Sequence, residues 1–177
     1  VATEEQALSC ASFARYTEML KDFTLEGGAS AMLTELRLIK DEEELETIAR
    51  AQAITDAAFS HILTVLHPEM TEIEVALELE FFMRRNGAED IAFPTIAVSG
   101  TNSARPHGVP RRCRLERGFL TMDFGAKADG YCSDMTRTVF LGRADEEEKK
   151  LYHTVLKAQT SALDALSEGA SCRELDS

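Results

Sequence analysis

Asp129-Gly130 lies between two strand-like runs, about Gly118 to Phe124 and Tyr131 to Phe140. An Asp-Gly pair between such runs reads as the two-residue turn of a β-hairpin. With that turn, Asp123 opposes Thr136 and Gly125 opposes Asp134; one step tighter, Asp123 opposes Asp134 directly. Side chains alternate along a strand, so both pairings give the same faces. One face carries Thr121, Asp123, Asp134, Thr136 and Thr138, and the other carries Leu120, Met122, Phe124, Met135 and Val139. The second is a core face. The first holds two aspartates, a residue that strands disfavour. Like charges on neighbouring strands cost some tenths of a kcal/mol when exposed and more when buried. A cation between them, protonation of one, or an arginine partner would each offset that cost. A divalent metal is the strongest of these, because hard cations take carboxylate oxygens. In the plain alternative, both are hydrated hairpin charges beside Arg137 or Lys127.

Helix signals precede and follow the hairpin. Asp41 with Glu44, Thr71 with Glu74, and Asp145 with Glu148 each have the spacing of a capping box. Ile48, Thr55, Phe59, Ile62 and Leu66 follow the first box at helical spacing, with Ala51 and Ala58 between them, until Pro68 forces a stop. Gly87 ends the second helix, which has apolar surface on more than one side. The third runs from about Asp145 to Glu168, with Gly169 ending it, and Ser171 with Glu174 announces a fourth. "AFPTIAVSG" reads as a short buried strand, and "TNSARPHGVPRRCRLERG" as loop. Before residue 40 there is no clean period: a short helix with Phe13, Tyr16, Met19 and Leu20 on one face, then the turn "EGGAS". The expected class is α+β, with helices packed on an antiparallel sheet.

His107, in the Pro-His-Gly loop before the hairpin, is a candidate metal ligand, acid, base or hydrogen-bond donor. The plain alternative is an exposed loop histidine. His61, His67 and His153 lie on or beside helices and read as surface or packing residues. The basic run "RRCRLER" can bind a carboxylate or phosphate, but reads first as solvated loop. A formal net charge of −12 argues against nucleic-acid partners and anionic membrane surfaces. No apolar run approaches the ~18 residues of a transmembrane helix, and the start shows no signal peptide. Cys10, Cys113, Cys132 and Cys172 form no close pair and no metal-type spacing, as expected of reduced cytoplasmic thiols.

"FPTIAVSGTNSARPHG" followed by "GFLTMDFGAKADGYCSDMTRTVFLG" resembles the pita-bread metallopeptidases. That family comprises the methionine aminopeptidases, Xaa-Pro aminopeptidases, Xaa-Pro dipeptidases (prolidases) and creatinases. "LRLIKDEEELETIARAQAI" is similar to the junction between the N-terminal and catalytic domains of the Xaa-Pro aminopeptidase and prolidase branch. The resemblance implies that residues 36–177 are the first half of a pita-bread catalytic domain and residues 1–35 the tail of an N-terminal domain or a connector. It implies a piece of a longer protein that lacks the C-terminal half.

Carried over by residue, the resemblance makes Asp123 and Asp134 two of five metal ligands for two divalent ions, Mn or Co. It makes His107 the histidine that contacts substrate and steadies the reacting carbonyl. A further His and two Glu, placed later in the family's chains, complete the site. The implied activity is metal-dependent hydrolysis at a peptide N-terminus, with proline at the second position of the substrate, in a full-length protein expected to be a cytoplasmic homodimer. The 177-residue chain is expected to be inactive, to expose apolar surface and to self-associate. Two rivals come with the family: a metal-free creatinase-like hydrolase, against which both aspartates argue, and a non-catalytic protein-binding domain.

Overall fold

Reciprocal side-chain caps start three of the helices. The computed structural model describes residues 1–176, in two units, one spanning Val1–Ile48 and the other beginning at Ala49. In the first unit, α1 (Cys10–Met19) begins where the Ser9 hydroxyl accepts from the Ser12 N–H. It buries no side chain, and its expected apolar face, Phe13, Tyr16, Met19 and Leu20, stays 38–66% exposed. Helix α2 (Ala29–Leu38) occupies a stretch without a helical period, and its N-cap is Gly28, which has no side chain to cap with. Glu5 substitutes, its carboxylate accepting from the Gly28 N–H at 2.8 Å and the Ser30 N–H at 3.5 Å. That cap comes from 23 residues away, so no local pattern announces it.

Helix α3 (Glu42–Val65) opens on the expected box: the Glu44 N–H donates to Asp41 Oδ1 and the Asp41 N–H to Glu44 Oε2, at 2.9 and 2.8 Å. The box of Thr71 and Glu74 starts α4 (Glu72–Arg85), and Gly87, at φ +105°, takes the left-handed conformation that closes it. After the hairpin, Asp145 and Glu148 box α5 (Glu146–Ala165). A single turn, α6 (Cys172–Leu175), follows Ser171, whose side chain makes no cap hydrogen bond.

The strands form two three-stranded antiparallel sheets. The larger has the order β2 (Ile96–Ser99), β3 (Gly118–Phe124), β6 (Met135–Leu141), and the smaller the order β1 (Asp90–Ile91), β4 (Ala126–Ala128), β5 (Tyr131–Cys132). Asp129 and Gly130 both have positive φ, 46° and 83°, as a hairpin turn of this kind requires. Leu120, Met122, Phe124 and Met135 line the buried face of the larger sheet. They join Ala51, Ala58 and Ile62 of α3 and Val75, Leu79 and Met83 of α4 in one core. Each fully buried Leu, Met or Phe there contributes roughly 1.5–3 kcal/mol. The core leaves the opposite face of the sheet, which carries Asp123, for other uses, and Asp134 immediately precedes β6.

Candidate metal centre

The hairpin register is the first of the two open to the sequence: Asp123 pairs with Thr136, and Phe124 with Met135. The two long strands are not continuous, however. They break at Gly125 and at Ser133-Asp134, where one sheet gives way to the other. A Cβ on Gly125 would lie 2.0 Å from the Ser133 carbonyl oxygen, so only glycine lets the two backbones approach this closely. A buried hydroxyl cluster ties the break to the core. Thr55 Oγ1 of α3 and Ser133 Oγ lie 2.6 Å apart, and both accept from the Ala126 N–H, at 3.2 and 2.9 Å. Thr55 reads in the sequence as one more position on an apolar helix face; its task is to hold the residue beside Asp134.

Asp134 and Asp123 are brought together. Partial loss of water and then the Asp123 charge push the Asp134 carboxyl above its ordinary range. The Thr136 hydroxyl donates to Asp123 Oδ1 at 3.0 Å and orients it. Arg137 does not neutralise the pair: its position opposite Met122 places it on the other face, and its guanidinium donates to the Thr136 carbonyl at 2.9 Å. Lys127 pairs with Glu89 at 3.4 Å. Among the described residues, no basic side chain forms an ion pair with Asp123 or Asp134. Of the three offsets, a cation or a proton remains. Two converging oxygen donors without a protein counter-charge fit a hard divalent ion. No group of three or more His, Cys, Asp or Glu residues able to hold a metal occurs among the described residues.

His107 is exposed, at the tip of the loop after the short 3-10 helix Gly100–Ala104. The next residue places the loop. A Cβ on Gly108 would lie 3.0 Å from Val98 Cγ1 and 3.2 Å from the Asn102 carbonyl oxygen, so the loop backbone rests on Val98. Val98 pairs with Thr121 and shares its face, two residues along β3 from Asp123. The loop that carries His107 therefore lies over the aspartate face.

The basic run is not a solvated loop throughout. Arg111 makes a two-pronged bond to Glu72, Nη2 to Oε1 at 2.9 Å and Nε to Oε2 at 3.0 Å. Arg117 pairs with Glu148 at 2.7 Å and Arg114 with Glu69 at 2.6 Å. Glu72 is fully buried. Burial alone would raise its pKa, but Arg111 and the N–H groups of Ser99 and Arg111 outweigh that and hold it down to about 2. In the sequence Glu72 looks like an ordinary first-turn acid of α4; a basic cluster in an acidic chain was the available hint of a buried partner. His61 also has partners, Glu78 at 2.6 Å and the ring of Phe82 stacked at 4.4 Å.

Residues 46–177 match metallopeptidase family M24. The chain belongs to this family. It is 40% identical over 174 residues to the uncharacterized peptidase YqhT of Bacillus subtilis, covering 98% of this chain and 49% of that protein. Among solved structures it resembles an Xaa-Pro dipeptidase from Bacillus anthracis, with a TM-score of 0.93 and 41% identity over 99% of this chain and 49% of that one. It also resembles an X-Pro aminopeptidase from Thermotoga maritima, with a TM-score of 0.91 and 38% identity over 99% of this chain and 50% of that one. This M24 chain thus spans about half the length of the relatives it matches, and its helices and antiparallel sheets correspond to the first half of their pita-bread fold. The family is one of metal-dependent peptidases. No helix among the described residues is long and apolar enough to cross a membrane.

Proposed function

We propose that the full-length protein is a metal-dependent aminopeptidase that cleaves Xaa-Pro bonds at peptide N-termini. In this reading residues 36–177 are the first half of its catalytic domain, and residues 1–35 belong to what precedes it. The observation that carries the proposal is the Asp123–Asp134 pair, close enough to interact and, among the described residues, without a basic ion-pair partner, in a chain of this family. Asp123 and Asp134 would hold the divalent ions, Mn or Co, and the Thr136 hydroxyl keeps Asp123 oriented toward them. Bound there, such ions supply an acidified water and polarise the scissile carbonyl. His107 donates a hydrogen bond to the charge that develops on the carbonyl oxygen. Two carboxylates fall short of the roughly six ligands such ions take, so the activity is assigned to the full-length protein and the 177-residue chain alone is inactive.

The test is release of the first residue from an Xaa-Pro peptide by full-length protein with Mn. The wild type is expected to release it, while Asp123→Asn and Asp134→Asn lose both turnover and stoichiometric Mn binding. Absence of release with every divalent metal tried would reject the peptidase reading and leave a protein-binding domain.

A further inference from the structure

The segment between Ser99 and Arg111 is a loop with His107 near its tip, and both of its ends are bound to one carboxylate. Glu72 Oε1 accepts from the Ser99 N–H at 2.7 Å, the Ser99 hydroxyl at 3.1 Å and Arg111 Nη2 at 2.9 Å. Glu72 Oε2 accepts from the Arg111 N–H at 2.9 Å, Arg111 Nε at 3.0 Å and the Asn102 amide at 3.2 Å. The same Asn102 amide donates to the Val109 carbonyl at 3.2 Å and straps the outgoing limb to the incoming one. The start of α4 adds two backbone bonds: the Glu72 N–H donates to the Cys113 carbonyl at 3.2 Å and the Ile73 N–H to the Arg111 carbonyl at 3.4 Å.

Between these anchors the loop has little of its own. The Arg105 N–H donates to Asn102 and the Gly108 N–H to Arg105, both at 3.1 Å, and Gly108 rests on Val98. His107 makes no hydrogen bond or ion pair among the described residues, so its position depends on what holds the two limbs.

We propose that Glu72 is a positioning residue for His107: it clamps both limbs of the loop and so sets where the histidine stands over the aspartate face. The proposal rests on the reading of His107 as the group that meets the substrate carbonyl. A carboxylate is required because every contact on its two oxygens is a donor. A glutamine of the same shape keeps one acceptor and turns an NH2 against the donors that meet the other oxygen. Glu72 acts through His107 and does not itself touch substrate.

The experiment is a double-mutant cycle on full-length protein with Glu72→Gln, His107→Asn and the pair, read as kcat and KM on an Xaa-Pro peptide. Positioning predicts that Glu72→Gln lowers kcat roughly ten- to a hundredfold with a smaller change in KM, and that it costs less than about twofold further once His107 is Asn. A merely structural role predicts that the two losses multiply, which would overturn the proposal. A second readout does not depend on turnover. With histidine ring carbons labelled, the His107 resonance, identified by its loss in His107→Asn, should shift or broaden in Glu72→Gln while the other histidine resonances hold. An unmoved His107 resonance in a folded Glu72→Gln protein refutes the clamp. Absence of peptide release by the wild type counts against the peptidase reading alone, and the resonance then decides the clamp. If Glu72→Gln does not fold, Asn102→Ala, which cuts the strap to Val109 and leaves the Glu72–Arg111 pair, decides the clamp through the same two measurements.

Discussion

A buried carboxylate survives only where donors replace the water it has lost, and Glu72 has six such contacts. Its ordinary value of 4.5 falls to about 2 in the folded chain. A depressed carboxylate stabilises the fold fully above its unfolded pKa, and loses that contribution as pH falls through the folded one. Glu72 should therefore contribute on the order of 3 kcal/mol at neutral pH, declining between about pH 4.5 and pH 2. Urea unfolding should show Glu72→Gln less stable than wild type at pH 7, with the gap narrowing toward pH 2.5; a gap independent of pH would exclude this account. Asp134 has the opposite sign. Its carboxyl is raised from 3.8 by lost water and by Asp123, so ionising both aspartates works against the metal-free fold. Because Asp134 is exposed, water screens most of the effect. Asp134→Asn should be slightly more stable than metal-free wild type at pH 7, and the difference should vanish as pH falls below about 3.8. Saturating Mn should remove or reverse the advantage in full-length protein, as followed by thermal unfolding.

The hairpin shows how far local patterns reach. Its turn, its register and its two faces follow from Asp129-Gly130 and alternation, because each depends on residues close in the chain. The three capping boxes were legible for the same reason, since each spans three residues. The break at Gly125 was not, because the need for glycine arises from the Ser133 carbonyl across the ladder and from Thr55 on another element. Helix α2, capped by Glu5 from 23 residues away, and the Glu72–Arg111 pair, 39 residues apart, were hidden for that reason too. The candidate site divides along the same line. Asp123 and Asp134 share a hairpin and could be placed together, whereas His107 is carried by a loop whose place against Val98 is set by distant residues. Gly125→Ala tests the break. A methyl 2.0 Å from a backbone oxygen must push the two strands apart, so it should cost about 2 kcal/mol or more in urea unfolding. Thr55→Val, which keeps the shape and removes the hydroxyl bonds to Ser133 and Ala126, should cost about 1–3 kcal/mol. Wild-type stability in both variants would mean that the break is not held as described.

At the scale of the whole molecule the telling element is α5. Its 20 residues bury no side chain, although it carries a continuous apolar stripe. Leu151, Val155, Leu163 and the following Leu166 are 56–65% exposed, and Tyr152 and Leu156 about 40%. At 100° per residue these side chains fall within one wide sector of the helix, the pattern of a face that rests against something. Full burial of each would contribute roughly 1.5–3 kcal/mol, so leaving the stripe in water favours association. The expected consequence is concentration-dependent self-association of the 177-residue chain, visible as a rising weight-average sedimentation coefficient across a micromolar dilution series. Val155→Lys with Leu163→Lys places charges in the stripe without touching the core, so the double variant should sediment as a monomer with unchanged unfolding. The chain's net charge of −12 opposes association in general, and added salt should therefore strengthen it in the wild type. A wild-type chain that stays monomeric at high concentration and high salt would show that the α5 stripe, exposed as it is, does not drive association.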